Sequence, residues 1–220
     1  MPPETPLHLN LWKHGLGHVP ESVWEETQLE TLVLADNGLT AVSERIGRLT
    51  KLRMLDLGHN QLTSVPDALG GLNGLSDFLY LHDNRLTGLP TSLGRLTKLR
   101  YLNISENNFS RLPECVTELE SLIELRVSGN QLTSLPETIR KLAMLREWHL
   151  RDNKISLLPD SIGELRELRQ LDLRGNPVVR LPESLAGLPR LEKLDLRWVP
   201  SLEAPKWLAE LEARGCAVYR

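Results

Sequence analysis

Glu147, His149 and Arg151 alternate within five residues, so a strand at this point carries all three on one face. With Asp172 beside them they could be drawn as an acid–base site, with carboxylates orienting an imidazole that moves a proton. Such chemistry needs a pocket that excludes water and shifts a pKa, and nothing in the sequence supplies a lid or a closed cavity. No catalytic residue is therefore expected. His82 and His149 lie far apart, and neither Cys115 nor Cys216 has the spacing of a metal ligand, so no metal and no cofactor are expected either. Cys115 stands where a related stretch has Ser184, the place of an ordinary packed thiol. Gly70-Gly71 falls in a helical return segment, not in a phosphate loop. Arg151, Arg174 and Arg197 recur at one spacing and could contact phosphates, but Asp152, Asp172 and Asp195 sit among them and dilute the field.

The elements that must position these residues follow from a repeat. The segment Leu52-Arg53-Met54-Leu55-Asp56-Leu57-Gly58-His59-Asn60-Gln61-Leu62 returns at residues 122–132 and again at 168–178. Anchored on asparagine, the units fall at Asn37, Asn60, Asn84, Asn107, Asn130, Asn153 and Asn176, with spacings of 23, 24, 23, 23, 23 and 23. Two more units stay in phase without the asparagine, at His14 and Val199, which makes nine units, seven of them regular. Proline keeps the same beat from Pro20 to Pro205, with Ser43 the one gap.

Each slot has a physical reason. Leu55-Asp56-Leu57 and Leu171-Asp172-Leu173 have the period of a short strand with one buried face. The asparagine amide that follows both donates and accepts, so stacked asparagines form a ladder that satisfies buried backbone groups. Leu-Pro then opens the return, because proline fixes φ and cannot join the next sheet. The string from Ile162-Gly163 to Leu165 and Leu168 has the spacing of a short helix or helical turn packing inward. A 23-residue unit cannot bury its own leucines, so stability comes from stacking.

These residues resemble the leucine-rich-repeat family, over roughly residues 7–205. The consensus Leu-Pro-x-x-Ile-Gly-x-Leu-x-x-Leu-x-x-Leu-x-Leu-x-x-Asn-x-Leu-x-x-Leu-Pro is similar to the 23-residue intracellular class found in plant Ras-group-related proteins, Ras-pathway scaffolds and many bacterial proteins. The resemblance implies an α/β right-handed solenoid, with a concave parallel sheet and short helices or turns on the convex side. It also implies partner recognition on that sheet, since the family shares a scaffold and varies its ligands.

With the leucines inward, the exposed strand positions lie six, four and two residues before each asparagine. Phe78, Tyr80 and Tyr101, flanked by Val33, Met54 and His82, form an aromatic patch expected to anchor a partner protein. Glu124, Arg126, Glu147, His149, Arg151, Asp172, Arg174, Asp195 and Arg197 form a second, polar zone of mixed charge that would select among partners. The alternative for this zone is a solvated face of cross-strand ion pairs. The one 24-residue spacing puts an extra residue at Ser76-Asp77-Phe78, expected to carry a bulge or kink. Two other functions compete with partner binding: a targeting or regulatory module for an enzyme, and nucleic-acid binding through Arg151, Arg174 and Arg197.

The chain reads as a single domain: an N-terminal cap and first repeat over 1–28, regular repeats over 29–190, and a last degenerate repeat with a capping helix over 191–220. Trp12 and Trp24 are expected to add bulk to the first cap. Pro205 to Glu212 is expected to form the closing helix, with Trp207, Leu208 and Leu211 on the core and Gly215 as its stop. A net charge of −3 selects neither nucleic acid nor an anionic membrane. Two cysteines a hundred residues apart, no apolar run of membrane-spanning length, and a start (residues 1–6) without the regions of a secretory signal point to a reducing cytoplasm. A monomer is expected, with a dimer through the aromatic patch as the alternative.

Overall fold

The computed structural model describes residues 7–220; residues 1–6, read above for a leader, lie outside them. Ten three-residue strands form one parallel sheet in sequential order. They are β1 (His8–Asn10), β2 (Thr31–Val33), β3 (Met54–Asp56), β4 (Phe78–Tyr80), β5 (Tyr101–Asn103), β6 (Glu124–Arg126), β7 (Glu147–His149), β8 (Gln170–Asp172), β9 (Lys193–Asp195) and β10 (Ala217–Tyr219). The central residue of β2 to β9 is a wholly or almost wholly buried leucine, except in β7, where Trp148 fills the slot. Burying one leucine stabilises by about 2 kcal/mol, but only a neighbouring unit supplies the surface to bury it against.

The asparagine ladder forms as the residue chemistry requires. Asn60 Nδ2 donates to the carbonyls of Leu34, Leu57 and Gly58, while its Oδ1 accepts from the N–H groups of Asn37 and Leu39. Asn84, Asn107, Asn130, Asn153 and Asn176 repeat the donated bonds, each Oδ1 accepting from one N–H, that of the residue two after the preceding asparagine, and are likewise buried. At the first rung, Asn37 Oδ1 accepts from the backbone of His14 and Leu16, so the exposed His14 stands where the ladder has ended. The residue before the asparagine takes a left-handed φ, as at Asp36 (56°), His59 (51°) and Asp152 (54°). Aspartate is among the non-glycine residues that most readily adopt it.

The convex side is built from five-residue 3-10 helices, such as Asp67–Gly71, Thr91–Arg95 and Asp160–Glu164, each entered from an extended proline. Ser43, the gap in the proline series, enters its turn as a side-chain cap that accepts from Arg45 N–H. One unit instead forms an α-turn, α1 (Glu114–Thr117). Successive turns approach closely because of the Ile-Gly or Leu-Gly pair. A Cβ at Gly70 would fall 2.2 Å from the Ser92 carbonyl oxygen, and one at Gly163 would fall 2.7 Å from that of Ser184.

The ends differ from expectation in two places. Trp24 is buried, but Trp12 is 55% exposed on the concave side and adds nothing to the core. At the other end, α2 (Leu208–Ala213) buries Leu208 and Leu211, with Trp207 partly covered. The chain then turns at Gly215 (φ 92°) and adds β10 to the sheet beside β9. The closing element is thus a helix followed by a strand, not a helix alone.

Candidate functional site

The parallel register places the concave columns as the spacing requires. His8, Thr31, Met54, Phe78, Tyr101, Glu124, Glu147, Gln170 and Lys193 pair in one row, and Asn10, Val33, Asp56, Tyr80, Asn103, Arg126, His149, Asp172 and Asp195 in the next. The extra residue of the long unit is taken up before β4. Asp77 and Phe78 N–H both donate to Arg53 O, as in a regular unit, but Arg100 N–H donates to Ser76 O instead of Asp77 O. The pairing of β4 itself is regular, so the insertion leaves the aromatic residues in register.

Phe78, Tyr80 and Tyr101 form one cluster. Ring centroids are 5.9 Å apart for Phe78–Tyr80, 5.4 Å for Phe78–Tyr101 and 5.0 Å for Tyr80–Tyr101, within the range of favourable aromatic pairs. Phe78 is 42% exposed and both tyrosines are half-buried, with Met54 and Val33 alongside. Burial pushes the Tyr101 phenol up to about 12, and burial with the nearby Asp56 charge raises Tyr80, so both stay neutral hydroxyls at pH 7. His82 extends the cluster, 6.0 Å from the Tyr80 ring, and lies over the bare face of Gly58. Its pKa is lowered by burial and then by the neighbouring His59, whose Nε2 stands 3.2 Å from His82 Nε2.

A groove of about 410 Å³ runs along the N-terminal edge of the aromatic strands, lined by Arg53, Asp77, Phe78, Arg100, Tyr101, Ile123 and Glu124. Sequence reasoning missed Arg53, Asp77 and Arg100, which stand seven residues before the asparagine, just outside the strand. Arg53 is paired with Asp77 at 3.0 Å and Glu124 with Arg126 at 2.5 Å. Arg100 is exposed and makes no ion pair among the described residues.

The polar zone divides in two. At its C-terminal end the arginines are held by aspartates. Arg174 donates to both oxygens of Asp172, at 2.9 and 2.5 Å, and Arg197 to both oxygens of Asp195, at 2.9 and 2.7 Å. Arg151 pairs with Asp152 at 3.0 Å. Burial alone would raise the Asp195 carboxyl, but bonds from Arg197 and the charges of Arg174 and Arg197 outweigh it and hold the carboxyl below its usual range. Nearer the aromatic cluster, Glu124, Glu147 and His149, which the sequence places in one polar zone, converge. Burial and then the Arg126 charge lower the His149 pKa. Of the acid–base set considered from the sequence, Glu147 and His149 come together, while Asp172 is engaged by Arg174 and Arg151 by Asp152.

The comparisons with known proteins agree with the geometry. A family model described as leucine rich repeat matches residues 27–86, 77–132, 122–178 and 145–198. No curated protein matches the sequence. Among solved structures, the chain is similar to a leucine-rich-repeat protein of Leptospira interrogans, at 27% identity and a TM-score of 0.53 over 92% of this chain and 63% of that one. It is similar to the plant peptide hormone receptor RGFR1 in complex with RGF2, at 33% identity and a TM-score of 0.73 over 82% of this chain and 30% of that one. The ectodomain of the Arabidopsis thaliana receptor kinase GASSHO1/SCHENGEN3, in complex with Casparian strip integrity factor 2, is similar at 29% identity and a TM-score of 0.78, over 92% of this chain and 25% of that one. The chain therefore spans under two thirds of the length of each of these three. Among the described residues no helix is long and apolar enough to cross a membrane.

Proposed function

The chain belongs to the leucine-rich-repeat family, and on that premise we propose that its concave face binds a partner protein or peptide, with Phe78, Tyr80 and Tyr101 as anchors. The observation that carries this reading is the aromatic cluster itself: three rings in mutual contact on an open parallel sheet, beside a groove. Interfaces concentrate their energy in such aromatic groups. Two of the similar structures are plant receptors recorded with bound factors, which supports the same use of the fold. Arg100, at the groove and without an ion-pair partner among the described residues, favours a partner segment that brings apolar side chains together with a carboxylate.

The polar zone acts as selector in this reading, chiefly through Glu124, Arg126, Glu147 and His149. Arg151, Arg174 and Arg197 are already bonded to aspartates and offer little to phosphates, which supports leaving nucleic acid out. Cys115 and Cys216 are buried and unpaired, which supports a reducing compartment such as the cytoplasm.

The test is paired affinity capture from native lysate with the purified chain and with a Phe78→Ala/Tyr80→Ala/Tyr101→Ala variant of equal thermal stability. Any captured protein is then purified and titrated directly. A partner held by the first and weakened by about 2 kcal/mol or more in the second is the expected result. Equal affinity for both would sink the aromatic anchor.

A further inference from the structure

Strand register brings three metal-ligating side chains to one spot on the polar half of the sheet. Glu124 and Glu147 are direct partners on β6 and β7, and His149 follows two residues along β7 on the same face. One oxygen of each carboxylate and one imidazole nitrogen all lie within 4.8 Å of one another. His149 Nε2 stands 3.5 Å from a Glu147 oxygen and 3.7 Å from a Glu124 oxygen. Both distances are too long for hydrogen bonds, and this nitrogen is buried without a partner. Zinc bonds to nitrogen and oxygen are about 2.1 Å long, and two such ligands at the tetrahedral angle sit about 3.4 Å apart. The distances from the unpaired nitrogen to the two carboxylates therefore match the spacing of a coordination shell more nearly than that of a hydrogen-bonded cluster.

We infer that Glu124, Glu147 and His149 form a binding site for a zinc-like divalent cation, with its remaining position open to the concave groove. An imidazole with two carboxylates suits zinc, whereas magnesium and calcium favour shells made of oxygen alone. The two carboxylates neutralise the ion. Arg126 is the competitor, because its Nε donates to Glu124 at 2.5 Å. It is 45% exposed and stands 5.9 Å from the centre of the Tyr101 ring, so it has a place to go when Glu124 turns to a cation. The open position faces whatever lies on the sheet, and a carboxylate or imidazole from a bound protein would complete the shell.

The full chain is titrated with ZnCl2 against a chromophoric competing chelator, beside His149→Gln, Glu147→Gln and Arg126→Ala, with a thermal midpoint for each. One zinc per chain is expected, weakened about tenfold or more in the first two variants at unchanged midpoints. Arg126→Ala is expected to bind more tightly, because the competing guanidinium is gone, and MgCl2 is expected not to displace zinc. Equal binding by the wild-type chain and both ligand variants would overturn the inference and place the ion elsewhere, as at the His59–His82 pair. Absence of saturable binding by the wild-type chain would overturn it as well.

Discussion

Replacing Asn130 by alanine tests whether the ladder holds the solenoid together or merely decorates it. Asn130 Oδ1 accepts from Phe109 N–H at 3.0 Å, and that N–H has no other partner among the described residues. Its Nδ2 donates to the carbonyls of Ile104, Val127 and Ser128, at 3.0, 3.2 and 3.2 Å. Those carbonyls keep second donors in Asn107, Asn153 and Glu106, so their loss is partial. Phe109 N–H is the group left stranded, beside a wholly buried ring. A buried unsatisfied donor costs about 1–3 kcal/mol, and the space left by the amide adds about 1 kcal/mol more. Asn130→Ala is therefore expected to lower the unfolding free energy by about 2–4 kcal/mol. Urea unfolding followed by circular dichroism reads this as a lower midpoint at an unchanged slope. His14→Ala is the internal control: it stands at the exposed end of the ladder, its backbone N–H still reaches Asn37, and its cost should stay within about 0.5 kcal/mol. If the two variants cost the same, the argument from stranded backbone groups is wrong.

Two further outcomes follow from the electrostatics. Asp195 has a depressed carboxyl, so it binds protons less readily folded than unfolded; its contribution is present above the ordinary carboxylate value of about 4 and fades as pH falls through its lower folded value. Asp195→Asn should be less stable than wild type at pH 7, and the gap should narrow in acid when midpoints are compared across pH 2–7; a gap independent of pH would contradict the pairing with Arg197. Burial pushes the Cys115 thiol up to about 11, and Cys216 is raised by the same cause. Both should resist a disulfide reagent at pH 8 in the native chain and react at once in urea. Rapid native labelling of Cys115 would mean that α1 opens readily.

Much of this molecule was legible because its constraints are periodic. Leu55 and Leu57 face the core together because they alternate along one strand, and Asn60 reaches Leu34 O only because the units stack in register. The aromatic cluster followed from the same arithmetic, since Phe78 and Tyr101 occupy one row and Tyr80 the next. What escaped was aperiodic. The strand Ala217–Tyr219 follows a helix and has no asparagine to mark it, and five-residue turns such as Asp67–Gly71 are too short for side-chain spacing to separate 3-10 from α geometry. Trp12 looked like cap filling by size alone, yet its place two residues before His14 turns it to the open side. The meeting of Glu124 and Glu147 with His149 depends on side-chain reach across rows, which column positions do not specify.

The glycines at 70 and 163 bear on the shape of the whole arc. A solenoid bends by the difference in pitch between its two faces, and the strand side is held near 4.8 Å by hydrogen bonding. With Ser92 O and Ser184 O closing on bare Cα atoms, the outer pitch stays short at those steps, and the arc there is flatter than side-chain-bearing turns would allow. A flatter arc presents a long, shallow track and not a cup. Wedging alanine into both glycine positions would spread the outer rim, tighten the curvature, and narrow the range of shapes that can lie across the strands.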